Sequence, residues 1–346
     1  MTVPTIELRP GYHISRVIRG GWQLAGGHGP VDRAETIADM AAFYEAGIVT
    51  FDCADIYTGV EDLIGQFRIR HGAAALDRLR VQTKLVPDLA DLATLTRDSV
   101  RRIIDTSLRR LHMDRLDLVQ FHWWDYAVPR YLEALGWLDD LRREGKVLHI
   151  GATNFDTPRT LEILQAGIPL VSMQVQYSLI DARPERALVQ AALAHDMHIF
   201  AFGSVAGGFL GDRWLGQPEP TGPLENRSLT KYKLIIDDFG GWALFQTLLR
   251  CLRTIADRHG CDVATVASAA MLSRPAVAAV IVGARNRSHL AQNVAIANLA
   301  LTAQDHAQIA AVLARGQTPE GDTFTLERDR HGRHGQIMKY NLNKAS

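Results

Sequence analysis

The sequence predicts an α/β fold, a (β/α)₈ TIM barrel spanning residues 1–346 as a single domain, with an N-terminal β-hairpin and long loops at the C-terminal face. Two observations point there. Eight short apolar runs alternate with helical patterns between residues 17 and 298, the signature of a parallel sheet buried on both faces. Eight is also the count that closes such a barrel. An open doubly wound sheet would want a G-x-G-x-x-G turn after its first strand, and Gly20-Gly21-Trp22-Gln23-Leu24-Ala25 does not match.

Residues 5–18 read as a hairpin turning at Pro10-Gly11. Val17 to Trp22 forms the first barrel strand, followed by a Gly-rich loop over 23–30. A helix with Ile37, Met40, Ala41 and Tyr44 on one face closes at Gly47, and Val49 to Asp52 is the second strand. Helix 61–70, strand 80–84, helix 96–112, strand 116–122, helix 130–144 and strand 147–152 follow in turn. The spacing of Val100, Ile103, Ile104, Ser107, Leu108 and Leu111 is near 3.6. Thr157 as N-cap and Pro158 in the first turn start the next helix, which Gly167 ends. Strand 170–176, a helix from Pro184 to about His195, and strand 198–202 continue the alternation. The stretch 203–240 reads as irregular and is too long for an ordinary connection, which suggests a functional lid. Helices 242–259 and 263–273, strand 278–283 and helix 288–298 complete the pattern. The tail 316–346 is polar and charged, and reads equally as a solvated segment or as part of the site.

Composition narrows the function. Basic and acidic residues are equal at 38 each, so no overall field favours nucleic acid or an anionic membrane. Cys53, Cys251 and Cys261 cannot all pair and form no CxxC, which fits a reducing, cytoplasmic location. Residues 1–16 show no basic region followed by an apolar one, and no apolar run approaches the ~20 residues of a membrane span. The thirteen histidines offer no ligand triad, so no metal is expected.

Barrel chemistry sits at the carboxyl ends of the strands. The polar residues there are Asp52, Lys84, His122, Asn154 and Gln174, with Tyr57 on the loop after Asp52. A tyrosine is a poor proton donor at neutral pH, and a nearby cation lowers its pKa. Lys84 is placed to be that cation, Asp52 to hold it, and His122 to donate to the same carbonyl oxygen. Such a set suits carbonyl reduction, with the hydride supplied by a cofactor. A short-chain dehydrogenase would need Lys four residues after Tyr, and Glu61 stands there.

With these residues in view, the chain resembles the aldo-keto reductase family over roughly residues 15–300. Phe51-Asp52-Cys53-Ala54-Asp55-Ile56-Tyr57 with Glu61 and Ile64-Gly65 is similar to the family's Asp-Tyr segment. Gln82-Thr83-Lys84 and Val119-Gln120-Phe121-His122 are similar to its lysine and histidine strands. Gly151-Ala152-Thr153-Asn154-Phe155 resembles its Gly-x-Ser-Asn-Phe segment, with Thr153 for Ser. The resemblance implies that Tyr57 is the general acid/base, that Lys84 and Asp52 tune it, and that His122 orients the substrate. It also implies NADP(H): Asn154 and Gln174 at the nicotinamide amide, Thr153 among the cofactor-binding residues, Phe202 against the ring, and Gly203 from the following loop. Gly283, Arg285, Gln292 and Asn293 fall in the segment that grips the adenosine phosphate. Gly203-Ser204-Val205 replaces the usual Ser-Pro-Leu, and Gly283 and His289 stand where some members carry Lys and Arg, leaving Arg285 or Arg287 to supply the charge. Trp22, Trp123 and Trp124 are either substrate walls or rim packing. The expected substrate is a small carbonyl compound or sugar, in either redox direction. A nicotinamide-binding regulatory subunit with little turnover is the alternative.

Overall fold

The computed structural model describes residues 2–26 and 29–343, so Gly27 and His28 of the expected 23–30 loop, and the last residues of the tail, lie outside it. Strands β1 (Thr5–Arg9) and β2 (Tyr12–Ser15) form the antiparallel hairpin, with Ile6 opposite Ile14. Gly11 at φ 76° makes the turn, a conformation that favours glycine. Leu8, Tyr12 and Ile14 bury against Ile18, Leu118, Val171 and Phe200, so the hairpin plugs one end of the barrel with apolar surface.

The barrel strands are β3 (Val17–Gly20), β4 (Thr50–Asp52), β5 (Arg80–Leu85), β6 (Leu116–Phe121), β7 (Val147–Thr153), β8 (Leu170–Gln176), β9 (His198–Phe202) and β10 (Val277–Gly283). They run parallel, and β10 pairs with β3 through Val280 and Val17 to close the ring. Among them alternate α1 (Arg33–Glu45), α2 (Val60–His71), α3 (Arg97–Leu111), α4 (Tyr131–Arg143), α5 (Thr157–Gln165) and α6 (Leu188–Ala194). Between β9 and β10 lie α7 (Arg227–Phe239), α8 (Gly241–His259) and α9 (Val263–Leu272), and after β10 come α10 (Leu290–Asn298), α11 (Ala303–Leu313) and α12 (Thr325–Arg328). No helix of the described residues is long and apolar enough to cross a membrane.

Local chemistry sets the helix starts. Asp32, Thr96, Asn226 and Asp262 each accept a hydrogen bond from a first-turn backbone N–H of α1, α3, α7 and α9. At α5 the capping side chain is Asp156, bonded to Arg159 N, one residue earlier than the expected Thr157. The segment opened by Pro184 is a short 3₁₀ turn, Arg183–Glu185, and α6 begins only at Leu188.

Two stretches differ from expectation in ways that shape the mouth. The 203–240 segment is not irregular throughout: α7 occupies its second half and buries Leu229, Tyr232, Ile235, Ile236 and Phe239. Lys231, Lys233, Asp237 and Asp238 interrupt that apolar spacing and mask it in the sequence. The tail is not a solvated appendage. Phe324, Glu327 and His334 are buried, and Leu89 N donates to Tyr340 O. Leu342 N and Asn343 N both donate to Asp88 Oδ1.

Candidate active site

Asp52 is the last residue of β4, Lys84 stands near the end of β5, and His122 directly follows β6. Parallel register brings these ends together: Asp52 pairs with Gln82, and Lys84 with Gln120. The Lys84 ammonium donates to both Asp52 oxygens, at 2.8 and 2.7 Å, and to the Cys53 carbonyl at 2.8 Å. Gln120 Nε2 donates to Asp52 Oδ1 at 3.2 Å. Asp55 pins the loop that carries Tyr57, accepting from Ile56 N and Val86 N. Tyr57 thereby lies with its ring 4.9 Å from Lys84 Nζ and edge-on to Trp22 at 5.2 Å.

The electrostatics follow from this geometry. Burial opposes the Lys84 charge, but Asp52 and Tyr57 outweigh it and hold the ammonium above its ordinary pKa. Burial pushes the Tyr57 phenol up to about 12, Lys84 pulls it down, and the Asp52 charge pushes it up again. The expected net lowering is therefore not found: burial outweighs the lysine's pull, and the Asp52 charge opposes that pull as well. Tyr57 is only half-buried, so cleft water tempers the rise. The phenol is a protonated donor at neutral pH.

His122 Nδ1 lies 3.1 Å from the Thr153 carbonyl. A carbonyl only accepts, so Nδ1 carries the proton. Burial, helped by Arg328, holds the ring neutral with its pKa lowered to about 3. Nε2 has no partner and is thus a bare acceptor in this state, in contrast to the donor the sequence suggests. Donation from Nε2 requires that the Thr153 contact be given up or the ring be charged.

These groups line a cleft of about 450 Å³, within the range of small-molecule sites. Trp22, Trp124, Thr153, Asn154, Gln174, Phe202, Gly203 and Gly283 line it with them. Trp124 meets His122 edge-on at 4.2 Å. Trp123 is corrected: it faces away, fully buried beside Phe121, with Nε1 donating to Asp125 O and Val128 O. Neighbouring side chains after a strand point in opposite directions, so only one of the two tryptophans reaches the cleft. Arg285 sits on the rim, exposed, donating to Pro30 O. Gln292 and Asn293 lie on α10 outside the cleft, where Gln292 Oε1 and Asn293 Nδ2 are buried without partners.

The cleft suits a nicotinamide. Asn154 Oδ1 and Gln174 Oε1 are buried with no partner among the described residues, as acceptors awaiting a carboxamide N–H₂ would be. Thr153 Oγ1 donates instead to the Gln174 carbonyl, which fixes the β7 end against β8. Gly203, at φ 74°, has no room for a Cβ against the Tyr232 hydroxyl, so glycine lets the chain after Phe202 pack directly on Tyr232.

The model of the aldo/keto reductase family matches residues 16–314. The chain belongs to the aldo/keto reductase family. Among relatives of this aldo/keto reductase, the NADH-specific methylglyoxal reductase of Escherichia coli is 25% identical over 317 residues, covering 84% of this chain and 92% of that protein. Flagellar radial spoke protein 5 of Chlamydomonas reinhardtii is 29% identical over 171 residues, 44% of this chain, and the match spans only 32% of that longer protein. The fold is shared with the glycerol dehydrogenase of Gluconobacter oxydans, at a TM-score of 0.76 and 22% identity over 92% of this chain and 96% of that one. Members of the family use nicotinamide cofactors generally, and their relatedness to this chain supports oxidoreductase chemistry.

Sequence reasoning missed several cleft residues of this aldo/keto reductase. Arg227 and Lys231 come from α7, and Phe324, Ile337, Met338 and Leu342 from the tail. The apolar pair Ile337-Met338 amid polar and charged tail residues was a usable signal. Gln120, the second donor to Asp52, stood inside the quoted histidine strand.

Proposed function

We propose that this aldo/keto reductase reduces an aldehyde or ketone to an alcohol with NADPH, and runs the reverse oxidation with the same residues. The observation that carries this reading is the Asp52–Lys84–Tyr57 cluster beside the two unpartnered amide oxygens of Asn154 and Gln174. The bound nicotinamide supplies the hydride. Asn154 and Gln174 would hold its carboxamide and Phe202 its face, which directs the ring toward Tyr57. As negative charge grows on the substrate oxygen, Tyr57 gives up its proton, and the Lys84 ammonium steadies the phenolate left behind. Asp52 keeps Lys84 charged and aimed. His122 and Trp124 wall the substrate side and exclude water. Arg285, on the rim, is our choice to meet the 2′-phosphate; the Escherichia coli relative's name, by contrast, specifies NADH. The three free cysteines fit a cytoplasmic location.

A panel of aromatic aldehydes, quinones and sugars assayed with both reduced cofactors tests the proposal. The expected result is consumption of NADPH matched by alcohol, with kcat/KM higher than for NADH, and a fall in that preference in Arg285→Ala. Cofactor that binds without being consumed by any substrate contradicts it and points to a regulatory subunit.

A further inference from the structure

Lys231 is an ammonium in the cleft with no anion beside it. Two residues on, Lys233 is bound by Glu219 and Asp237. Lys231 has no ion pair or hydrogen bond among the described residues, and its Nζ stands over three aromatic rings: Phe202 at 5.2 Å, Tyr232 at 5.6 Å and Phe324 at 5.9 Å. Burial presses against its charge, and Glu327 and Asp181 below the cleft answer it only at a distance, against Arg183. Lys231 is half-buried, and the aromatic faces compensate its partly desolvated ammonium in part. Arg227, one helical turn earlier and on the same cleft wall, also lacks a carboxylate partner.

The position is informative as well as the charge. Phe324 touches both Lys231 and, edge-on at 5.6 Å, His122. Lys231 therefore stands across one ring from the imidazole, on the wall where the tail closes the cleft. Lys231 lines the same cleft as Tyr57, so a single ligand can meet both. Asp52 is the only carboxylate lining the cleft among the described residues, and Lys84 already holds it.

We infer that Lys231, backed by Arg227, is the receptor for an anionic group, carboxylate or phosphate, at the far end of the carbonyl substrate. This rests on the carbonyl-reductase reading and narrows it to acidic carbonyl compounds.

The test compares succinic semialdehyde with butanal, and glycolaldehyde phosphate with glycolaldehyde, in the wild type, Lys231→Met and Lys231→Arg. The wild type prefers the anionic member of at least one pair, and the pair that shows it identifies carboxylate or phosphate. Lys231→Met lowers that ratio of kcat/KM values about 10- to 100-fold, and Lys231→Arg keeps most of it. A ratio unchanged in Lys231→Met overturns the inference. So does a loss that appears in the Kd for NADPH instead, since Lys231 then serves the cofactor. Equilibrium binding of 4-hydroxybutyrate, followed by tryptophan fluorescence with oxidised cofactor present, reads the receptor without turnover. Binding that weakens at least about tenfold in Lys231→Met supports the receptor even if no aldehyde is reduced. Equal binding in both proteins, together with no preference for either anionic aldehyde, refutes it.

Discussion

Replacing Tyr57 with Phe lowers kcat for aldehyde reduction by about 10²- to 10⁴-fold, the range of a lost general acid. The substitution removes one oxygen. The ring keeps its contacts with Trp22 and the Lys84 ammonium, so the loop pinned by Asp55 has no reason to move. Cofactor affinity stays as it is, because the groups proposed to hold the nicotinamide, Asn154, Gln174 and Phe202, lie on β7, β8 and β9 ends that the variant does not touch. Steady-state kcat and a fluorescence titration of reduced cofactor, made on the same preparation, separate the two effects. A variant with near wild-type kcat at neutral pH would assign the proton to a different group.

Cutting Glu327 to Ala destabilises the protein by about 3–5 kcal/mol and loosens the cleft wall. Arg183 is fully buried between two carboxylates. It donates to Asp181 at 2.9 and 2.8 Å and to Glu327 at 2.9 Å twice over. Asp181 hangs on the β8 side, and Glu327 belongs to α12 in the tail, so this cluster rivets the tail to the barrel. Removing Glu327 leaves part of a fully buried guanidinium without its partner. Burial alone would raise the Glu327 carboxyl, yet Arg183 draws it down to about 2. Its folded pKa is below the ordinary carboxylate value, so its contribution is present above about pH 4.5 and is lost as pH falls toward 2. Denaturant unfolding at neutral pH and near pH 3 checks both halves. The wild type loses most of the difference between itself and Glu327→Ala at the lower pH. A rise in substrate KM accompanies the variant, since Phe324 and Met338 line the cleft.

The barrel was legible because its strands repeat a local pattern, a short apolar run followed by a helical period, with side-chain caps at α1, α3, α5 and α7 marking helix starts. Asp52, Lys84 and His122 were legible for the same reason, as polar ends on such runs. What escaped depends on contacts distant in the chain. The helical face of α7 shows only once Tyr232 and Phe239 find the barrel, because charged residues break its spacing. Trp123 and Trp124 are identical neighbours, and only the backbone direction after β6 decides which meets His122. The sequence left the tail open between a solvated segment and part of the site because its anchors are polar, and Glu327 is a core residue only when Arg183 is opposite. The direction of the Tyr57 shift could not be read from the presence of a lysine, since it turns first on how deeply the fold buries the phenol, with the Asp52 charge adding to the rise.

The pH dependence of kcat for reduction tests most directly whether the phenol gives the proton. An acid must be protonated to act, so activity holds below its pKa and is lost as pH rises through it. Burial has pushed Tyr57 upward and left His122 neutral far below pH 6. The prediction is a kcat that stays level from about pH 6 to 9 and declines only at more alkaline pH. A tenfold fall per pH unit beginning near 6.5, the ordinary range of an imidazolium, would contradict it and make His122 the acid.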